Sequence, residues 1–158
     1  MKIDLKWERP LRLKDGSRFN LIYRCGSLNR VASKPGLYVF ARSYGKSIVP
    51  LYIGQALKLR SRIEQQFNNA KLMMTLKSAP SGHRILLVGR LRFHPGQQKK
   101  KVLDIVESAL IKHALAQGHD LINQHGTKTK VHAIRSKGNS SSKQVVPRTM
   151  LVERRKGS

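Results

Sequence analysis

A single carboxylate constrains this chain more than any other feature. Glu107 lies in KKKVLDIVESALIKHALAQG, residues 99–118, an apolar-periodic stretch that ends at Gly118 and reads as an amphipathic helix. On a helix its neighbours three and four residues away are Leu103, Asp104, Leu110 and Ile111, three of them apolar. The acid therefore points toward the core side. A half-buried acid has to be paired, hydrogen-bonded or bound to a metal, so any fold for this chain must bring such a partner to that helix face.

Partners of opposite charge are abundant. The chain carries 32 lysines and arginines against eight acids, a formal net charge of +24 over 158 residues. Such an excess destabilises a compact state by self-repulsion unless a polyanion is bound, and nucleic acid is the expected one. Between Asp15 and Asp104 the only acid is Glu64, which leaves the middle of the chain almost uniformly positive. The length suits one domain with a real core and a short appendage. Cys25 stands alone, which excludes an intrachain disulfide framework and a cysteine-rich zinc site and fits a reducing, cytoplasmic setting. The apolar runs are far too short to span a bilayer, and MKIDLKWERP has no apolar core of a secretory leader.

Along the chain, Asp15-Gly16 within residues 9–22 predicts an N-terminal hairpin. GLYVFAR (36–42) and IVPLYIG (48–54) predict a second hairpin across SYGKS, with Pro50 marking an edge strand or a bulge. Apolar residues Leu59, Ile63, Phe67, Ala70 and Met74 have helical spacing and predict one helix over 57–74. RILLVGRLRF (84–93) predicts a central strand. Residues 135–143 read as a flexible linker, and 144–152 are apolar enough to dock back on the domain. The expected architecture is α+β, a small antiparallel sheet flanked by helices. Three regions follow: an N-terminal extension with a hairpin (1–34), a core (35–126) and a basic C-terminal extension (127–158).

GLY at 36–38 and YIG at 52–54, on a hairpin, resemble the signature of the GIY-YIG nuclease family, with Leu37 in place of the usual isoleucine. More of that pattern follows in order: Arg62 eight residues after Gly54, VESALIKHAL (106–115) around Glu107, and LIN (121–123) ending in Asn123. Each tripeptide alone is weak; the ordered set, over roughly residues 35–125, is strong. The resemblance implies a three-stranded antiparallel sheet with helices packed on it, and divalent-metal-dependent cleavage of phosphodiesters. It implies catalytic roles for Tyr38, Tyr52, Arg62, Glu107 and Asn123, with Glu107 holding Mg²⁺ or Mn²⁺. One departure stands out. The family often has a histidine four residues after the arginine, where this chain has Gln66, and glutamine cannot take up a proton near neutrality. Tyr38 alone, Lys46 or a histidine such as His83 are the substitutes the sequence offers.

The physics of each residue type agrees with these roles. A hard cation takes oxygen ligands and often needs only one or two carboxylates beside waters and substrate phosphate. Arginine presents a planar fork that matches phosphate. A tyrosine with a pKa of about 10 needs a nearby cation before it can deprotonate a water. Lys46, Lys58, Arg60, Gln66, Lys99, Lys100, Lys101, Lys128 and Lys130 are the expected nucleic-acid contacts. The expected activity is a DNA endonuclease of restriction, phage or plasmid type. The sequence leaves open a structure- or single-strand-specific nuclease, and a non-catalytic nucleic-acid-binding protein that keeps the fold. One such site cuts one strand, so a double-strand break needs a homodimer or two successive events.

Overall fold

The computed structural model describes residues 1–123 and 131–153. The described residues are mixed α+β, with four α-helices and antiparallel strand pairing. In order the elements are β1 (Asp4–Trp7), β2 (Leu11–Arg12), β3 (Lys14–Asp15), β4 (Tyr23–Arg24), β5 (Gly36–Tyr44), β6 (Ser47–Ala56), α1 (Leu59–Phe67), α2 (Ala70–Ser78), β7 (His83–Arg92), α3 (Lys99–Ala116), β8 (Val131–Arg135), α4 (Ser140–Val145) and β9 (Thr149–Glu153).

The main sheet has five strands, not the three expected. β6, β5 and β7 are its long members, and β1 and β2 pair one after the other with the far side of β7. DLKW is too short and too charged for sequence patterning to mark as a strand; pairing against β7 from Asp4–Arg92 to Trp7–Gly89 supplies the register. The expected N-terminal hairpin is also displaced. β3 pairs with β4 across a loop containing a 3-10 turn at Ser17–Phe19, so Asp15-Gly16 does not form a tight two-residue turn.

β5 and β6 are joined by a turn at Gly45, whose φ of 58° suits glycine. The register slips between Phe40 and Ala41, which pair with Tyr52 and Pro50 and leave Leu51 bulged. Pro50 has no N–H for a ladder, and β6 is the edge strand, so the proline sits where both of its expected consequences apply. β7 is central, as its apolar run predicts.

The single helix expected over 57–74 is two helices. Asn68 ends α1, and Asn69 starts α2 by accepting the Leu72 N–H on its side chain at 3.1 Å. Apolar spacing continues through this break, which is why periodicity alone misses it. α2 ends on a buried arginine: Arg84 of β7 donates to the carbonyls of Leu76, Ala79 and Gly82, each at 2.7 Å.

Helices cover both sheet faces. Tyr38, Phe40 and Leu86 pack with Leu59, Ile63, Phe67 and Met73 on the α1–α2 side. Val39 and Ile53 pack with Ile111, Ala114 and Leu121 on the α3 side, and Leu37 joins Val102, Leu103 and Val106 there. Strand alternation thus sends Tyr52 and Gly54 to one side of β6 and Ile53 and Gln55 to the other. β8 and β9 form a separate two-stranded sheet, and α4 begins at Ser140, inside the segment expected to be a linker. Asn139 caps that helix through the Ser142 N–H at 2.9 Å. Among the described residues no helix is long and apolar enough to cross a membrane.

Candidate functional site

A cleft of about 600 Å³ wraps the open edge of β6 at its C-terminal end. Because the edge is exposed, side chains from both faces of the strand reach the same space. Tyr38, Tyr52 and Gly54 line it from the α1 side, and Gln55 and Glu107 from the α3 side. Lys58, Ser61 and Arg62, from the first turn of α1 and its approach, form the third wall, and Lys100 stands at the α3 rim. The positive end of the α1 dipole favours anions at that wall.

Glu107 is half-buried. Its Oε2 accepts from Gln55 Nε2 at 2.7 Å, and the same amide donates to Asp104 Oδ1. Asp104 also accepts from Lys100 Nζ at 2.7 Å. Burial pushes the Glu107 carboxyl above its usual range, and Asp104 adds to this; the Gln55 hydrogen bond and the Lys100 charge pull it partly back. The neighbouring Asp104 moves the other way, lowered by hydrogen bonds from Lys100 and Gln55. Glu107 is thus an anion short of compensating charge, facing a cleft.

Tyr38 is 1% exposed and its hydroxyl lies at the cleft wall, where burial pushes it up to about 12; hydrogen bonds and charge from Gln66 and Arg62 do not offset this. Gly54 sits against this hydroxyl. A Cβ there would lie 2.5 Å from Tyr38 Oη, so the glycine of YIG is the space into which the tyrosine of GLY reaches. The two tyrosine rings stack, with centroids 6.1 Å apart. Arg62 is exposed at the cleft, where it acts on the Tyr38 hydroxyl and makes a 3.4 Å bond from Nη1 to Gln65 Oε1. Asn123 lies behind the cleft: its Nδ2 donates to Ile53 O at 2.6 Å and its Oδ1 accepts from Ile53 N at 3.5 Å. It thus pairs with the free edge of β6 as a further strand would, and holds that edge in place.

Tyr38, Tyr52, Arg62, Glu107, Lys58 and Lys100 therefore share one cleft, with Asn123 bracing it. Other expected contacts lie elsewhere. Arg60 donates to Val31 O at 2.8 Å and Asn29 O at 2.9 Å, tying the preceding loop to α1 in place of reaching a phosphate. Gln66 is buried and holds the tyrosine hydroxyls from behind. Lys46 occupies the β5–β6 turn beyond Tyr44, which is six residues and ~20 Å of strand from Tyr38. His83 pairs with Ser43 near the same end and receives Arg12 Nη2 at 2.7 Å. Neither can act as a base in this cleft. The Lys99–Lys101 run divides by helical phase: Lys100 faces the cleft, Lys99 lies 5.9 Å over the Phe93 ring, and Lys101 lines a separate hollow beside His94. Lys128 and Lys130 lie outside the described residues. Gln55 is the residue sequence reading missed; its signal is strand alternation, which puts it beside Ile53 on the α3 face.

Among the described residues no three His, Cys, Asp or Glu side chains gather into a ready-made metal cage. The donor set at Glu107, one under-compensated carboxylate with Asp104 beside it, suits a hard cation that keeps most of its waters. No family model, no curated protein and no solved structure matches this chain.

Proposed function

We propose that this protein is a divalent-metal-dependent endonuclease of GIY-YIG type that hydrolyses phosphodiester bonds in DNA. The observation that carries the reading is the convergence of Glu107, Arg62, Tyr38 and Tyr52 on one cleft, with Lys58 and Lys100 at its rim. These residues come from separate stretches of a chain whose net charge of +24 calls for a polyanion.

Each residue has a definable part. Lys58, Lys100 and the α1 N-terminus draw the phosphate backbone in. Arg62, free of any carboxylate partner among the described residues, offers its fork to the scissile phosphate and to the charge that develops there. Glu107 would hold Mg²⁺ or Mn²⁺, with Gln55 fixing the carboxylate and Asp104 beside it. When bound, such an ion supplies Lewis acidity and a more acidic water. Tyr38 and Tyr52 orient the groups that enter the cleft, and Asn123 keeps the edge strand from shifting. The test is incubation of supercoiled plasmid with the protein in Mg²⁺ or in EDTA. Nicked or linear product in Mg²⁺ alone is expected; intact plasmid in every divalent metal would refute the enzyme.

A second reading is a nucleic-acid-binding protein without catalysis. It is favoured by one observation: among the described residues no histidine lines the cleft, and burial pushes the Tyr38 hydroxyl up to about 12. Tight, salt-sensitive binding with no cleavage would select it.

A further inference from the structure

Gln66 is 3% exposed, more deeply buried than the other buried polar side chain among the described residues, Arg84. Its amide nitrogen donates to Tyr38 Oη at 2.7 Å and to Tyr52 Oη at 3.3 Å. Its carbonyl oxygen is held from the other side, accepting from Asn69 Nδ2 at 3.4 Å. Asn69 is fixed in turn as the cap of α2. This chain of bonds gives the amide one orientation, with both of its hydrogens toward the tyrosines.

A phenol oxygen that accepts a hydrogen bond from behind still has its own hydrogen to donate. Two stacked rings place both hydroxyls on one side, and Gly54 leaves room for the Tyr38 hydroxyl at the cleft wall. We infer that Tyr38 and Tyr52 form a paired-donor subsite for a non-bridging oxygen of a phosphodiester, and that Gln66 is the positioning residue that sets their polarity. Arg62 approaches the same space with further donors and no acceptor, so the wall offers an incoming anion hydrogens only. The inference rests on reading the cleft as one that handles phosphate. It also gives Gln66 a different task from a protonatable group: a carboxylate there would accept from both tyrosines and turn their hydrogens away from the cleft, whereas the amide cannot.

The experiment compares Gln66→Glu, Gln66→Met and Asn68→Glu with wild type. Asn68→Glu adds the same charge two residues away, on an exposed position. Affinity for a fluorescein-labelled DNA duplex is read by anisotropy in EDTA, plasmid nicking in Mg²⁺, and folding by thermal unfolding. Reversed polarity should weaken duplex binding in Gln66→Glu at least ~10-fold beyond Asn68→Glu and slow nicking ~100-fold. Gln66→Met frees the hydroxyls without reversing them and should fall between. Equal binding by Gln66→Glu and Asn68→Glu overturns the subsite. If Gln66→Glu does not fold, wild-type affinity in folded Gln66→Met overturns it. Wild type that binds duplex but never nicks refutes the enzyme reading, and the binding comparison still decides the subsite.

Discussion

Arg84 and Glu107 are both charged side chains drawn into the body of this protein, and they are treated in opposite ways. Arg84 is 8% exposed, and the carbonyls of Leu76, Ala79 and Gly82, in the last turn of α2 and the loop after it, accept from it at 2.7 Å each. Backbone oxygens take a donor from each of its three nitrogens. Glu107 is half-buried, has one amide donor at 2.7 Å, and faces a cleft with its carboxyl pushed upward by burial. A buried charge whose hydrogen-bonding capacity is filled by backbone is part of the scaffold. A charge left under-compensated beside an opening is where a ligand contributes the missing interaction.

That contrast can be broken by substitution, and the largest effect belongs to the scaffold. Arg84→Met removes the donors that tie the carbonyls of Leu76, Ala79 and Gly82 together and should cost about 2–4 kcal/mol in urea unfolding. Nicking per folded molecule should be unchanged; a loss of chemistry without a loss of stability would erase the distinction. Gly54→Ala drives a methyl into the Tyr38 hydroxyl. It should cost about 1–3 kcal/mol and lower nicking as well, because it displaces a cleft residue. Asn123→Ala releases the β6 edge at Ile53 and should cost about 1–2 kcal/mol, with amide exchange rising first at Ile53.

The smallest effect is the most specific. The Glu107 carboxyl is raised in the folded state from 4.5. Between that value and its folded one the native state binds more proton than the unfolded state, so this group's contribution to stability falls as pH rises through the window. Glu107→Gln lacks this term. Unfolding of the two proteins from pH 4 to pH 7 should show the variant gaining on wild type as pH rises, by less than ~1 kcal/mol for a half-exposed group. A variant that loses ground to wild type as pH rises would mean that Glu107 is better compensated than Gln55 and Lys100 make it.

Much of the frame was legible because it depends on local pattern. α3 follows from its periodicity and Gly118, and the β5–β6 hairpin and its irregularity follow from alternation and Pro50. What escaped depends on distant partners. β1 is a strand only because β7 offers an unpaired side, and Asn69 breaks a helix that apolar spacing carries through. Arg60 and Arg62 are two residues apart and look alike in sequence. Helical phase and the carbonyls of Asn29 and Val31 give one to the scaffold and leave the other at the cleft. Gln66 was expected to meet substrate and instead stands behind the two tyrosines that do so in the proposed subsite.

The most direct measurement is metal-dependent nicking of supercoiled plasmid by wild type beside Glu107→Gln, a variant that keeps the shape and an acceptor for Gln55 but not the charge. Cleavage by wild type in Mg²⁺ or Mn²⁺, none in EDTA, and at least a ~1,000-fold loss in the folded variant are expected. Cleavage by Glu107→Gln at the wild-type rate would contradict the role given to Glu107.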